Sequence, residues 1–273
     1  MNKKGPSPAA YAAAAILGAA AVFPICWVFL SSFKPQSELF RVPMKLLPIA
    51  WTLENYATAM SQGNFLRYFG NTLFVAVTAT ALTVFINLMA GYALSKYRFP
   101  GRDAIFAVML ATLMIPLQVI MVPIFLQLKR LGLLNSLWGI IIPPAATPTG
   151  VFLARQYLQT LPDSLIESAR IDGAGEFLIF RSVVAPLAKP VVATIAIFSF
   201  MWRWNDFLWP LIVITDNRKQ TMQQALANFV GQLQVNWSSL LAMTTIAIVP
   251  MVIVFLAFQK YFLTGITAGA VKG

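Results

Sequence analysis

Six long apolar runs, almost free of charged residues, constrain this 273-residue chain more than any other feature. About 20 consecutive apolar residues cross the hydrocarbon core of a bilayer as one helix. The runs are too long, and alternate too little, to be strands of a membrane barrel. The sequence therefore predicts an all-α integral membrane protein with six transmembrane helices. The six runs are residues 9–33, 71–95, 104–128, 131–154, 190–214 and 239–259.

The composition supports a membrane protein and excludes several kinds of chemistry. Hydrophobic residues make up 59% of the chain and charged residues 11%, whereas an ordinary soluble domain has about 25% charged residues. The chain has no histidine and one cysteine, Cys26, which excludes histidine-based metal sites and catalytic triads. It also lacks the P-loop motif that cradles ATP phosphates. We expect no catalytic residue, metal or cofactor on this chain, so transport is either passive or driven by ATP that a partner binds.

The basic excess, 20 Lys and Arg against 9 Asp and Glu, reflects membrane topology rather than nucleic-acid binding. The positive residues are scattered over short loops and form no stripe with exposed aromatic residues. Lys3 and Lys4 precede the first run, and Lys96, Arg98 and Arg102 crowd the loop after the second. Because cytoplasmic loops are enriched in Lys and Arg, both termini are predicted to lie in the cytoplasm.

Two ionisable residues, Arg203 and Asp206, interrupt the fifth run. Charges inside a membrane are costly and usually functional. The two lie three residues apart on one helical face, so they either pair with each other as an interfacial anchor or line a pathway. A group of prolines near the end of the fourth run, Pro143, Pro144 and Pro148, is the best candidate for a gating bend.

A segment rich in Gln and Asn, residues 215–238, connects the last two runs. Its apolar residues Met222, Leu226 and Phe229 recur at helical spacing, which predicts an amphipathic helix outside the membrane. Two interpretations stay open. The segment is either a solvated connector with one face on the protein or a surface on which a partner docks.

A polar stretch between the fourth and fifth runs carries the strongest motif. Residues 167–173 read Glu-Ser-Ala-Arg-Ile-Asp-Gly, and Pro186 ends a Val-Val-Ala-Pro sequence further on. This spacing resembles the EAA signature of the permease subunits of bacterial ABC importers. Ser168, Val183 and Ala185 depart from the usual residues of that signature but remain small or aliphatic.

Two further segments extend the resemblance over most of the chain. Residues 204–210, Trp-Asn-Asp-Phe-Leu-Trp-Pro, and the ending at 265–273 are similar to the carbohydrate-importer branch, in particular to the second permease of maltose-type systems. The resemblance implies the type I ABC importer permease fold. The implied parts are a cytoplasmic tail at 1–8, a transmembrane domain at 9–264 with its core at about 70–260 and a cytoplasmic coupling loop at 156–189, and a second cytoplasmic tail at 265–273.

The residues of the coupling loop suit a short helix that docks onto another protein. Pro162 and Asp163 can begin the helix, with Asp163 or Ser164 as its cap. Ala169 and Gly173 lie four residues apart and leave room for close packing. In the family this helix sits in a cleft of the ATPase subunit and transmits the closure of that subunit to the spans.

The resemblance implies three groups of site residues. The residues expected to couple to the ATPase are Glu167, Ser168, Ala169, Arg170, Asp172, Gly173, Lys272 and Gly273. Those expected to contact a binding protein are Gln223, Gln224, Asn228 and Gln232. In maltose-type systems the sugar contacts lie chiefly in the other permease, and the pathway candidates here are Asn87, Gln118, Arg203 and Asn205.

We therefore expect a multi-pass permease subunit of the bacterial cytoplasmic (inner) membrane that imports a di- or oligosaccharide by alternating access. Its expected partners are a second homologous permease, a dimer of cytoplasmic ABC ATPases that binds ATP and Mg²⁺, an extracytoplasmic sugar-binding protein and the lipid bilayer, but no nucleic acid. One alternative is the same scaffold importing glycerol phosphate or another polar solute. A stand-alone carrier or channel is the other, and it leaves the polar stretch unexplained.

Overall fold

The computed structural model describes residues 7–61, 64–231 and 235–270, with side chains up to residue 259. Within these ranges the chain is helical and contains no strand. The α-helices there are α1 Pro8–Ser31, α2 Gln36–Leu39, α3 Glu54–Ser61, α4 Phe65–Lys96, α5 Arg102–Ala111, α6 Leu117–Arg130, α7 Leu137–Ile141, α8 Pro148–Gln159, α9 Ser164–Ile171, α10 Glu176–Ile179, α11 Ala185–Leu187, α12 Lys189–Asn205, α13 Leu208–Val213, α14 Met222–Val230 and α15 Trp237–Ala270. Short 3₁₀ turns lie at Thr112–Met114, Pro143–Ala145 and Asn217–Lys219, and a π-helical turn lies at Phe180–Val184.

The predicted all-α membrane fold is confirmed, but only part of the predicted set of spans is straight. Among the described residues, α1, α4 and α15 are each long and apolar enough to cross a membrane alone. Three bent pairs bring the total to as many as six spans. The axes turn by 106° between α5 and α6, by 43° between α7 and α8, and by 80° before α12.

The third predicted span, 104–128, is wrong as a continuous helix. A residue that precedes proline is disfavoured in the helical region because the proline ring crowds its backbone. Ile115 is accordingly extended, with φ −85° and ψ 118°, and α6 restarts directly after Pro116. Pro123 lies inside α6 without ending it.

The fourth predicted span, 131–154, is also wrong in its bounds. Turns occupy its first residues, and Asn135 has a positive φ of 54°. The helix begins at Leu137 and breaks after Ala145, and a new N-terminus forms where Thr147 Oγ1 accepts a hydrogen bond from Gly150 N at 3.2 Å. The predicted proline group therefore lies at this 43° bend, while its gating role stays a prediction.

The fifth predicted span, 190–214, is divided near its end. Asp206 follows α12 with an extended backbone, and its Oδ1 accepts a hydrogen bond from Trp209 N at 3.3 Å, at the start of α13. A helix start leaves backbone N–H groups without partners, and a carboxylate is a good acceptor for them. Asp206 therefore stabilises the start of α13 after the break.

The chain forms two compact units. The first comprises residues up to 66 and residues 225–249. In it, the segment after α1 is folded by buried polar groups. Lys34 lies over the ring of Trp27 at 4.6 Å and donates from Nζ to Lys45 O at 2.6 Å. Asn55 Nδ2 donates to Ser32 O and to Lys34 O, each at 2.8 Å. The segment from Lys34 to Asn55 is thus held in an ordered structure.

The second unit, residues 67–224 and 250–273, contains the long apolar core. One cluster joins the C-terminal half of α4 to α8, α9 and α12, and includes Leu88, Leu158, Ile166 and Ile195. Helices α4 and α8 approach closely, since a Cβ added at Gly91 would lie 2.4 Å from the Cβ of Ala154. This cluster fixes the base on which the polar loop rests.

Candidate functional site

The polar loop that carries the EAA-like motif forms the short helix α9 and ends it with glycine. Gly173 has φ +80°, a left-handed conformation that costs other residues about 1–2 kcal/mol. Ala174 N donates to Ala169 O and Gly173 N donates to Arg170 O, both at 3.0 Å. These two bonds form a Schellman motif, which satisfies the last carbonyls of a helix. Nothing lies within 4 Å of a Cβ added at Gly173, so close packing of a partner there stays a prediction.

One face of α9 is buried and the other is exposed. Ile166 is buried in the core cluster of the second unit, and burying an isoleucine side chain contributes about 1.5–3 kcal/mol. Glu167, Ser168 and Asp172 are exposed, and Ile171 is 87% exposed. The opposite face of α9 thus presents carboxylates beside an unburied aliphatic side chain.

The N-terminus of α9 is tied to the end of α4. Lys96 Nζ donates to Asp163 Oδ1 at 2.5 Å and to Leu161 O at 2.6 Å. The hydrogen bond from Lys96 lowers the pKa of the Asp163 carboxyl from its ordinary value. Asp163 occupies the predicted N-cap position but makes no side-chain capping bond, and the alternative cap, Ser164, is already the first helical residue. The carboxylate binds Lys96 instead.

A second set of polar contacts surrounds the carboxylate of Glu176, just after α9. Arg170 Nε donates to Glu176 Oε1 at 2.7 Å, and the Tyr97 hydroxyl donates to Glu176 Oε2. The hydrogen bond to Glu176 raises the pKa of the Arg170 guanidinium. Burial, followed by the bond to Glu176, raises the pKa of the Tyr97 phenol, which therefore stays protonated as a donor.

Sequence reasoning missed Lys96 and Tyr97 as parts of this site, whereas Glu176 lies within the predicted coupling loop. Lys96 was assigned only to the charge asymmetry of the loops. The available signal was that Lys96 and Tyr97 stand directly at the end of a span, next to the loop before α5. Their partners lie 65 to 79 residues away in the chain, a separation that local spacing does not reveal.

The contacts within the second unit sort its loops onto two sides. On one side, the end of α4 contacts the polar loop through Lys96 and Tyr97. Toward the other end of α4, Asn71 Nδ2 donates to Arg218 O at 3.1 Å and to Gln220 O at 2.9 Å. Asn135 Oδ1 accepts from Thr215 N at 2.6 Å. The loop after α6 and the loop after α13 therefore lie together, at the end of α4 away from α9.

The four pathway candidates do not form one site. Asn87 is fully buried: its Nδ2 donates to Thr147 Oγ1 at 2.7 Å and its Oδ1 accepts from Thr147 N at 3.0 Å. It holds α4 to the bend of the fourth span. Gln118 and Asn205 are exposed, and Asn205 Nδ2 donates to Met201 O at 2.9 Å within its own helix.

Arg203 is the remaining pathway candidate, and it too has a structural contact. Its side chain is buried, at 7% exposure, and its NH2 group donates to Pro144 O at 2.5 Å. The carbonyl of Pro144 lies at the bend of the fourth span, where the helix leaves acceptors unused. The suggested pairing of Arg203 with Asp206 is wrong, since these two described residues form no ion pair and Asp206 binds Trp209 N.

An apolar cavity of about 640 Å³ lies beside α4, α12 and the second half of α15. Phe85, Phe180 and Phe200 line it, and Thr80 is its one polar lining residue within the described chain. Sugar hydroxyls need hydrogen-bond partners when they lose water. The cavity alone therefore does not suit a sugar.

The Gln-rich segment contains the predicted amphipathic helix, α14. Met222, Ala225 and Phe229 are buried, while Asn228 is exposed and Gln223 is half-buried. Gln224 is 2% exposed; its Oε1 accepts from Thr221 N at 3.0 Å and its Nε2 donates to Pro210 O at 3.2 Å. The assignment of Gln224 to a contact with a binding protein is therefore wrong for this conformation. Gln232, Lys272 and Gly273 lie outside the described residues.

Broken membrane spans around a polar loop that exposes a short helix define a membrane transport component. The sequence of residues 83–267 matches the family described as binding-protein-dependent transport system inner membrane component. This match covers more than half of the chain, and the chain belongs to that family. It is thus an integral membrane protein of the inner membrane, and its family is the permease part of ABC importers.

Relatives and solved structures agree with this family. The chain is 40% identical over 255 residues to the arabinooligosaccharides transport system permease protein AraQ of Bacillus subtilis, covering 92% of this chain and 91% of AraQ. It is 34% identical to the sn-glycerol-3-phosphate transport system permease protein UgpE of Rhizobium meliloti, with 90% of each chain covered. A crystal structure of a bacterial ABC transporter that imports the acidic polysaccharide alginate matches with TM-score 0.85 and 28% identity, covering 95% of this chain and 100% of that one.

Proposed function

We propose that this chain is the permease subunit of an ATP-driven importer that moves an oligosaccharide into the cytoplasm. It pairs with a second, homologous permease and rests on two copies of an ABC ATPase that bind ATP and Mg²⁺. An extracytoplasmic binding protein delivers the sugar. The observation that carries this proposal is the exposed face of α9, which stands on the core of the second unit and leaves Ile171 uncovered.

The exposed face of α9 has the chemistry of a docking surface. Ile171 is an aliphatic side chain that is almost fully exposed. Phe177 and Leu178, beyond the turn, are also more than half exposed. Glu167 and Asp172 flank these apolar residues with negative charge. Protein interfaces combine an apolar centre with a polar rim, so we assign Glu167, Ser168, Ala169, Arg170, Asp172 and Gly173 to the contact with the ATPase.

An oligosaccharide is favoured over glycerol phosphate as the solute. The relative that transports arabino-oligosaccharides is 40% identical, against 34% for the glycerol-phosphate relative. A phosphate group would favour arginine or lysine along the pathway. Arg203 is a buried cation in the fifth span, and its guanidinium is already bound to Pro144 O.

The proposed orientation places the polar loop and both termini in the cytoplasm. Lys96, Arg98 and Arg102 lie on the same side as α9, because Lys96 and Tyr97 contact the polar loop. Cytoplasmic loops are enriched in Lys and Arg, and the ATPase works in that compartment. Asn228 and Gln223 then face the outside, where they are candidates for contact with the binding protein.

The test is to purify the tagged chain from host membranes with its partners, reconstitute the complex and measure ATP hydrolysis against a panel of sugar-loaded binding proteins. Glu167→Lys reverses a charge on the exposed face of α9. We expect sugar-stimulated hydrolysis to fall by about tenfold or more, since repulsion or an unpaired charge in an interface costs several kcal/mol. Glu54→Lys, the same change on exposed α3, is the matched control and should behave as wild type.

Two results would sink the proposal. One is a chain that purifies without an ATPase and transports solute in the absence of ATP. The other is hydrolysis stimulated by glycerol 3-phosphate and by no sugar, which would assign the solute to the phosphate class instead.

A further inference from the structure

We infer that Glu176 is a positioning residue that fixes the coupling helix α9 to the end of α4, so that the two helices move as one body. This inference rests on the proposed function. The carboxylate accepts hydrogen bonds from both helices at once and joins them at the C-terminal end of α9, whereas Lys96 joins them at its N-terminal end.

One carboxylate oxygen of Glu176 binds α9 and the other binds the end of α4. Oε1 accepts from Arg170 Nε of α9 at 2.7 Å. Oε2 accepts from the Tyr97 hydroxyl just past α4 and, at 3.5 Å, from the Tyr92 hydroxyl inside α4. Hydrogen bonds to an ionised group are about twice as strong as neutral ones and have defined directions. The carboxylate therefore sets both the distance and the angle between α9 and α4.

Aromatic contacts add to this hydrogen-bond network by packing its side chains against one another. The guanidinium of Arg170 lies over the ring of Tyr97 at 5.6 Å. The rings of Tyr92 and Tyr97 meet edge to face, with centroids 5.4 Å apart. The remaining attachment of α9 to the core includes the apolar side chain of Ile166. Lys96 holds the N-terminal end of α9 through Asp163. Because apolar contact is not directional, the Glu176 network is what opposes tilting of the C-terminal end.

Helix α4 leads from this network to the bends of other spans. Asn87 of α4 binds both the hydroxyl and the N–H group of Thr147. Thr147 caps the N-terminus of α8 at the bend of the fourth span. The carbonyl of Pro144, at the same bend, accepts from Arg203 of α12. If α9 is displaced and moves α4, the movement is transmitted to the bend of the fourth span by Asn87, which is buried and hydrogen-bonded there.

The network contributes position rather than folding stability. The side chains of Arg170 and Glu176 are 41% and 49% exposed, and ion pairs at such surfaces contribute little to the free energy of unfolding. Variants of Glu176 are therefore expected to fold and to assemble. Their defect should be in the amount of solute moved for each ATP hydrolysed.

The experiment compares wild type, Glu176→Gln and Tyr97→Phe as full complexes in liposomes, with solute uptake and ATP hydrolysis measured on the same samples. We expect each variant to assemble with the ATPase and to lower the uptake per ATP by about fivefold or more, within the usual range of coupling between sites. The double variant should be no worse than either single one, because both changes break the same connection. Glu54→Gln, an exposed carboxylate on α3, is the control for the lost charge.

The outcomes separate this inference from the proposed function. A wild-type ratio in the assembled Glu176→Gln and Tyr97→Phe complexes would overturn the inference and leave the importer intact. Failure of both variants to assemble would also overturn it, since the network would then be needed for folding. A wild-type complex that neither binds an ATPase nor couples uptake to hydrolysis would instead remove the proposed function itself.

Discussion

Gly173 shows how a single residue shapes helix α9. The left-handed backbone at this position turns the chain away from α9 and lets Ala174 N reach Ala169 O. The chain can then continue to Glu176, whose carboxylate returns to Arg170. The motif glycine is therefore a requirement of the backbone at the end of the helix, independent of any partner.

Replacement of Gly173 by alanine should loosen α9. We expect a loss of local stability of about 1–2 kcal/mol, because an L-residue in the left-handed region crowds its own Cβ against the carbonyl. Faster amide hydrogen exchange over residues 164–174, followed by mass spectrometry, is the measurement. Gly175→Ala is the control, since Gly175 has φ −69° and open space around its Cα. Equal exchange in the two variants would show that the turn does not depend on the left-handed conformation.

At the residue scale, the sequence identified which polar side chains are unusual but not what they bind. Asn87 stood out as a polar residue inside an apolar run, and its partner Thr147 lies 60 residues away. Gln224 stood out in a polar segment, yet it is buried against the backbone of α13, where its Nε2 donates to Pro210 O. A polar group buried in an apolar setting must find a hydrogen bond, and the sequence does not specify which of many backbone groups supplies it.

At the scale of elements, prolines separate the spans that the sequence predicts well from those it does not. Pro24 and Pro250 lie within continuous helices, whereas Pro116 and Pro148 stand at helix starts. The missing N–H group of a proline is harmless at a helix start and costly inside one unless neighbours compensate. Compensation depends on tertiary contacts such as that of Asn87 at the bend. The sequence therefore predicted the bend at the proline group of the fourth span but not the breaks at Pro116 and Asp206.

The crossing of α4 and α8 is one of the closest helix contacts in the core of the second unit. A Cβ at position 91 would lie 2.4 Å from Ala154 Cβ and 2.9 Å from Arg155 N. Because the backbone of α8 cannot yield locally, we expect Gly91→Ala to destabilise the protein by about 1–3 kcal/mol, the usual cost of overpacking. Thermal unfolding of the purified protein in detergent is the measurement.

Gly70→Ala is a matched control in the same helix. Nothing lies within 4 Å of a Cβ added at Gly70, so alanine there should be neutral or raise stability by about 0.5–1 kcal/mol through its lower backbone entropy. A Gly91→Ala protein that unfolds at the wild-type temperature would mean that α4 and α8 lie further apart than this structure has them.

For the whole molecule, the sidedness of the loops can be measured directly. In a Cys26→Ser background, Asn217→Cys and Arg98→Cys place single thiols on exposed residues at the two ends of the second unit. We expect a membrane-impermeant maleimide to label position 217 in intact cells and position 98 only after permeabilisation, because the basic loop is proposed to be cytoplasmic. Labelling of position 98 in intact cells would reverse the proposed orientation.

The length of α4 has a consequence for how the molecule meets membranes of different thickness. A helix of 32 residues is about 48 Å long, whereas the hydrocarbon layer measures about 30 Å. The polar loop is attached to one end of α4 through Lys96 and Tyr97, so the helix, and not the thickness of the bilayer, sets its distance from Asn87. If the bilayer becomes a few ångströms thicker or thinner, different turns of α4 are exposed to water. The distance from Asn87 to α9 stays constant.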